Sequence, residues 1–144
     1  METIVKTRVG AYGILIKDGK IALVRKAGGG YKGKLDLPGE GIEHTELPEE
    51  TLKREIREEA GIGITNYQLL DVTATNIKWE MAEELWEDLH HIGILYIVES
   101  NENVLKTDAD GLDSEGAGWY EINELKQEEL SSFTVYALKR LGYV

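Results

Sequence analysis

The octapeptide REIREEAG, residues 54–61, holds Glu55, Glu58 and Glu59 within about a turn and a half of helix. Like charges three or four residues apart cost a helix roughly 0.2–0.5 kcal/mol per pair. Such a cluster is tolerated where it shares a cation. Several carboxylate oxygens are what Mg²⁺ or Mn²⁺ takes, commonly with substrate phosphates filling the remaining positions. A divalent ion held there acidifies a bound water, and a carboxylate can then accept the proton. The competing reading is a solvated acidic helix face, and these residues alone leave both open. The chain has no cysteine and no histidine pair at helical spacing, so a zinc site is not expected.

The carboxylates need a helix to carry them, and the spacing predicts one from Pro48 to about Ala60. Pro48 suits a first helical turn, and Glu49 and Glu50 complement the positive end of the helix dipole. Leu52, Ile56 and Ala60 recur at i, i+4 and i+8 as a core stripe, and Gly61 suits the C-terminal cap. On a 100° wheel Glu59 falls about 60° from the centre of that stripe, Glu55 about 100° and Glu58 about 160°, all on one flank. Upstream, RVGAYGILIKDGKIALVRKA reads as two strands, apolar on both faces, around an Asp18-Gly19 turn. A glycine loop, AGGGYKGK, and a short extended piece, LDLPGEG, lead to the helix. Downstream, ITNYQLLDVTATNIKW and HIGILYIVE read as strands, and EMAEELWEDL fits a short helix or a loop. TDADGLDSEGAG reads as an acidic turn-rich loop, WYEI as a short strand, and the C-terminal segment ends in a helix. The order β-β-α-β-β-α predicts a mixed sheet with helices on its faces.

From Gly39 the chain runs GEGIEHTELPEETLKREIREEAGI. This resembles the signature of the Nudix hydrolase family (MutT-like): glycine, five residues, Glu, seven residues, Arg-Glu, an aliphatic, any residue, Glu-Glu, any residue, glycine, an aliphatic. Glu46, Arg54, Glu55, Ile56, Glu58, Glu59, Gly61 and Ile62 fall in register, while Glu40 stands where the family commonly has the first glycine. Similarity continues through the upstream hairpin and through HHIGILYIV and EGAGWYEINEL, so it covers most of the chain. The resemblance implies one domain over 1–144, an α/β fold of the α/β/α sandwich type, with a mixed sheet and a loop-helix-loop catalytic motif. It implies that Glu55, Glu58 and Glu59, with the backbone carbonyl of Gly39, hold Mg²⁺ or Mn²⁺. Arg54 would pair with Glu46 and support the loop. Glu115 would supply a further ligand or base, and Arg25 would reach a substrate phosphate. The implied reaction is hydrolysis of the diphosphate of a nucleoside diphosphate joined to another moiety: a nucleoside triphosphate, an oxidised nucleotide, a dinucleoside polyphosphate or a nucleotide sugar. Relatives specialised for ADP-ribose often carry a proline some fifteen residues beyond the signature. The only prolines here are Pro38 and Pro48, which weighs against that substrate. The rival is a Nudix-fold module that senses a nucleotide without turnover.

The bulk properties agree with a small globule. The chain has 144 residues, 42% hydrophobic and 30% charged, with a net charge of −11. That balance argues against nucleic-acid partners, whose phosphates need clustered Lys and Arg. No apolar run approaches a membrane span and no signal pattern opens the chain, so a cytoplasmic protein is expected, with a homodimer a common outcome. Gly28-Gly29-Gly30 lacks the Lys-Ser/Thr and helix of a P-loop, and DADGLDSE lacks the spacing and flanking helices of a calcium loop. Tyr31, Trp79 and Trp86 suit either base stacking or packing, with packing favoured. For His44, His90 and His91, packing or solvent contact is expected over acid-base work.

Overall fold

Strand β1 (Glu2–Ile14) sets the layering through its alternation. Ala11 faces one core cluster, and Tyr12 and Ile14 face the other. The computed structural model describes residues 1–108 and 114–143. After β1 come β2 (Ile16–Lys17) and β3 (Lys20–Lys26), joined by the expected turn, in which Asp18 and Gly19 both take positive φ. β4 (Leu35–Asp36) and β5 (Gly39–Gly41) lead to α1 (Pro48–Ala60). Then follow β6 (Asn66–Ala82), β7 (Leu85–Glu99), β8 (Ser114–Glu121) and α2 (Ser132–Arg140).

One sheet has the order β5-β1-β7-β6, with β1 and β7 parallel and the other pairs antiparallel. The second is antiparallel: β3 pairs with β2, β4 and β8. Leu52, Ile56 and Ala60 of α1 pack in the cluster that holds Ala11, Ala22, Val24 and Val98. Phe133, Ala137 and Leu138 of α2 pack in the cluster that holds Tyr12, Ile14, Leu23 and Leu95. The molecule is therefore mixed α/β with a helix against each core, as the periodicity predicts. Gly61 ends α1 in the left-handed region at φ 74. At the other end the Glu50 carboxylate accepts the Leu47 amide at 2.8 Å.

Two segments differ from expectation. EMAEELWEDL is neither helix nor loop: it is the tip of the β6–β7 hairpin, with Glu84 at φ 58 in the turn. Glu87, Leu89 and His91 point inward while Lys78, Glu80 and His90 point to solvent. Charges on alternate residues are the outer face of a strand, not a helical flank. β1 also begins earlier than the sequence predicts, at Glu2, because residues 2–9 extend along β7 from Leu85 to Ile92. Residues 109–113 of the acidic loop lie outside the described residues; its last part, from Ser114, is strand β8.

Candidate active site

The helix wheel orders the three glutamates of α1 correctly. Glu59 and Glu55 are buried, and the Glu58 side chain is 55% exposed. Glu59 is fixed from β5: the Gly39 amide donates to its Oε1 at 2.7 Å. Gly39 sits at φ 142, and a Cβ there would lie 2.1 Å from the Ala11 carbonyl oxygen, so only glycine fits. The strained position is thus Gly39, and Glu40, at the signature's glycine position, lies in ordinary strand pairing with Ala11. Glu59 Oε2 is buried without a hydrogen-bond partner, and the Lys26 ammonium stands 3.5 Å from it. Burial pushes the Glu59 carboxyl up to about 8, against the pull of Lys26 and the Gly39 amide.

Arg54 forms the hub of the loop-helix junction. Its Nε and Nη2 donate to the two oxygens of Glu46 at 2.7 and 2.9 Å, the pairing the sequence predicts. Its Nη1 donates to Glu55 at 2.6 Å and lies 3.5 Å from Glu58. Hydrogen bonds from Arg54 and Thr51 hold the Glu46 carboxyl down at about 2. Protein cations therefore meet the acidic flank: Arg54 serves Glu55 and Glu58, and Lys26 serves Glu59. Among the described residues no three carboxylates or imidazoles converge as a ready-made metal cluster.

Beside this flank, where the two sheets part, lies a cavity of about 310 Å³. Lys26, Asp36 and Glu40 form its acidic-flank end. Lys26 Nζ is 3.1 Å from Glu40 and 3.9 Å from Asp36. Asp36 in turn accepts from Ser131 Oγ at 2.6 Å, which ties β4 to the start of α2. His91 lies on the cavity wall, with Tyr12 Oη at 2.8 Å from Nε2 and Tyr31 Oη at 3.1 Å from Nδ1. Burial, with the positive charges of Arg8 and Lys26, pulls its imidazole down to about 4. The far end of the cavity is lined by Lys6, Trp79, Met81, Glu87 and Leu89, and Glu87 Oε1 accepts from Trp79 Nε1, its cross-strand neighbour, at 2.8 Å.

The remaining predicted residues lie apart. Arg25 does not line the cavity; its guanidinium donates to the Gly33 carbonyl at 3.0 Å, and the next residue, Lys26, is the one turned inward. Glu115 is exposed near the start of β8, beside the undescribed 109–113. Trp86 is outside the cavity lining, and His44 and His90 are exposed. Lys26, Asp36 and Glu87 line the cavity without having been singled out from the sequence, and His91, expected to pack or meet solvent, packs between two tyrosines on the cavity wall. The available signal was weak: a charged residue ending an apolar strand (Lys26), one between two leucines (Asp36), and two at the inward positions of a hairpin.

A family model described as NUDIX domain matches residues 6–141. The chain belongs to the Nudix family. A relative, an ADP-ribose pyrophosphatase from Methanocaldococcus jannaschii, is 32% identical over 113 residues, 78% of this chain. The match covers 61% of that relative, so the chain spans less than two thirds of its length. The crystal structure of a MutT Nudix hydrolase from Burkholderia pseudomallei aligns with a TM-score of 0.74 at 26% identity, covering 94% of this chain and 98% of that one. A MutT protein from Methanosarcina mazei Go1 shares the fold, with a TM-score of 0.67 at 20% identity over 93% and 91% of the two chains. Glu55, Glu58 and Glu59 thus stand on the signature helix of a Nudix fold.

Proposed function

We propose that this Nudix chain is a divalent-metal-dependent pyrophosphohydrolase that splits the diphosphate of a nucleoside diphosphate joined to another moiety. The observation that carries the reading is Glu59. A buried carboxylate, fixed by a backbone amide through one oxygen and facing only the Lys26 ammonium, at 3.5 Å and without a hydrogen bond, through the other, suits a hard cation. Glu55, Glu58 and Glu59, with the Gly39 carbonyl, would hold Mg²⁺ or Mn²⁺. The bound cation would supply charge neutralisation at the diphosphate and an acidified water. The chain's own residues do the rest. Lys26 and Arg8 line the cavity, and their positive charge would meet phosphate oxygens there. Arg54 supports the loop and orients Glu55. Glu115, at the edge of the undescribed loop, is retained as a further ligand or base, and Arg25 as an outer phosphate contact. The far end, with Trp79, Met81 and Leu89, takes the nucleoside. A cytoplasmic location and a possible homodimer, with no nucleic-acid or membrane partner, complete the reading. In support of the last point, no described helix is long and apolar enough to cross a membrane.

The relative's name adds ADP-ribose to the substrate classes worth testing, although the expected proline is missing. The test is a hydrolysis panel with Mg²⁺ or Mn²⁺ over nucleoside triphosphates, oxidised nucleotides, dinucleoside polyphosphates, nucleotide sugars and ADP-ribose, with products identified. Turnover should disappear with a chelator and fall by at least about a hundredfold in Glu58→Gln. Full turnover in that variant would refute the metal assignment. One observation favours a second reading: the Lys26 ammonium already lies among Glu59, Glu40 and Asp36. A Nudix-fold sensing module would keep that arrangement and release its nucleotide unchanged in the same panel.

A further inference from the structure

Glu87 lies at the far end of the cavity, remote in sequence from the signature helix, and the reaction just described gives it no task. It is 6% exposed. Its one hydrogen bond among the described residues is from Trp79 Nε1, its cross-strand neighbour. It has no ion-pair partner among them, although Lys6 and Arg8 line the same cavity, Lys6 opposite Leu89 and Arg8 opposite His91. A carboxylate has about four lone-pair positions on its two oxygens and donates nothing when ionised. With one position taken by the indole, Glu87 offers a pair of acceptors to whatever fills the space between Trp79, Met81 and Leu89.

We infer that Glu87 reads the base of the nucleotide and selects guanine. This rests on the nucleotide reading above and extends it to the base. Two adjacent oxygens match two adjacent N–H donors. Guanine presents such a pair, N1–H beside the N2 amino group. Adenine and cytosine each set a ring lone pair beside their amino group, and uracil sets carbonyl oxygens on both sides of N3–H. Each of those would bring a lone pair against a buried carboxylate, which costs far more than a missing contact. Hypoxanthine keeps N1–H and lacks the amino group, so it should fall between guanine and adenine. Trp79 holds the carboxylate in place, and the glycine loop closes the space. A Cβ on Gly30 would lie 2.8 Å from Ile77 and 3.2 Å from Trp79, so that loop rests directly on the sheet.

The experiment is titration calorimetry of GMP, IMP and AMP, in magnesium buffer, with the unaltered protein and with Glu87→Gln. GMP should bind about tenfold or more tighter than AMP, with IMP between. Glutamine places a donor beside an acceptor, the complement of the adenine edge. Glu87→Gln should therefore bring the GMP and AMP affinities within about twofold or reverse their order, with AMP binding undiminished. That last result shows the variant is folded. Equal affinities in the unaltered protein, an equal loss for all three ligands in the variant, or no binding of any of them would overturn the inference. If the hydrolysis panel succeeds while base preference is absent, only the role of Glu87 falls. If no nucleotide is cleaved yet GMP is preferred, the reaction falls and the base reading stands.

Discussion

His91 is wedged between two tyrosine hydroxyls, and its ring lies tilted against Phe133, 4.7 Å between centroids. A neutral imidazole has one donor and one acceptor nitrogen, so each can serve one hydroxyl. A proton added there would enter a buried space already facing Lys26 and Arg8, which is why the group is held down near 4. The consequence for stability has a definite sign. Between about pH 6.5 and 4 the unfolded chain takes up a proton on His91 that the folded chain refuses, so this residue makes stability fall on acidification through that window. Above pH 6.5 both states are neutral there and the contribution is constant. An NMR titration should show the His91 ring signals unmoved from pH 8 down to about 5; a midpoint near 6.5 would contradict the buried, hydroxyl-bracketed arrangement. None of this could be read in HHIG. Two adjacent histidines on a strand face opposite sides; the β1–β7 register sets His91 against Arg8, the Tyr12 ring reaches back over Gly10 to meet it, and His90 is left in solvent.

At the scale of the element, α1 is the part of the molecule most legible from sequence. Its limits, its buried stripe and the burial order of its three glutamates all follow from a 100° step and from Pro48 and Gly61 at its ends. What precedes it is less regular. Thr45, next to Glu46, is at φ 68, a conformation a β-branched residue rarely takes. It is exposed, and its side chain has no hydrogen bond among the described residues to offset the strain. Thr45→Gly should therefore raise stability by about 0.5–1 kcal/mol, less than the full steric relief because glycine also gains freedom when unfolded. Thermal unfolding should show a rise of about 2–4 °C. A fall would mean that the Thr45 side chain contributes something the geometry does not reveal. The strands illustrate the opposite case. Charges at Lys78, Glu80, Glu83, Glu84 and Asp88 hide the β6–β7 tip from a reading that looks for apolar runs. Likewise, at the adjacent Arg25-Lys26 pair, composition does not say which side chain turns inward.

Taken whole, the molecule builds its site from parts far apart in sequence. The acidic flank comes from α1, its buried ammonium from β3, the carboxylate beside it from β4, and the far end of the cavity from β6 and β7. Sequence reasoning reached the flank because a signature is local, and missed the cavity because it exists only once the two sheets are in place. Such a site should have no independent stability. In urea, loss of near-ultraviolet dichroism, loss of tryptophan fluorescence and loss of nucleotide cleavage should trace one common curve. A cleavage midpoint clearly below the other two would show that the region around the cavity opens separately.

The Gly39 amide gives that expectation a concrete form. The same short strand that pairs with β1 also grips Glu59, so one residue, Gly39, joins the sheet pairing to the buried carboxylate. A slip of one residue between β5 and β1 would reverse which side chains face inward and would put a residue with a Cβ against the Ala11 carbonyl. The pairing that completes this edge of the sheet therefore also sets the place of Glu59: a misaligned β5 would take the Gly39 amide away from its Oε1.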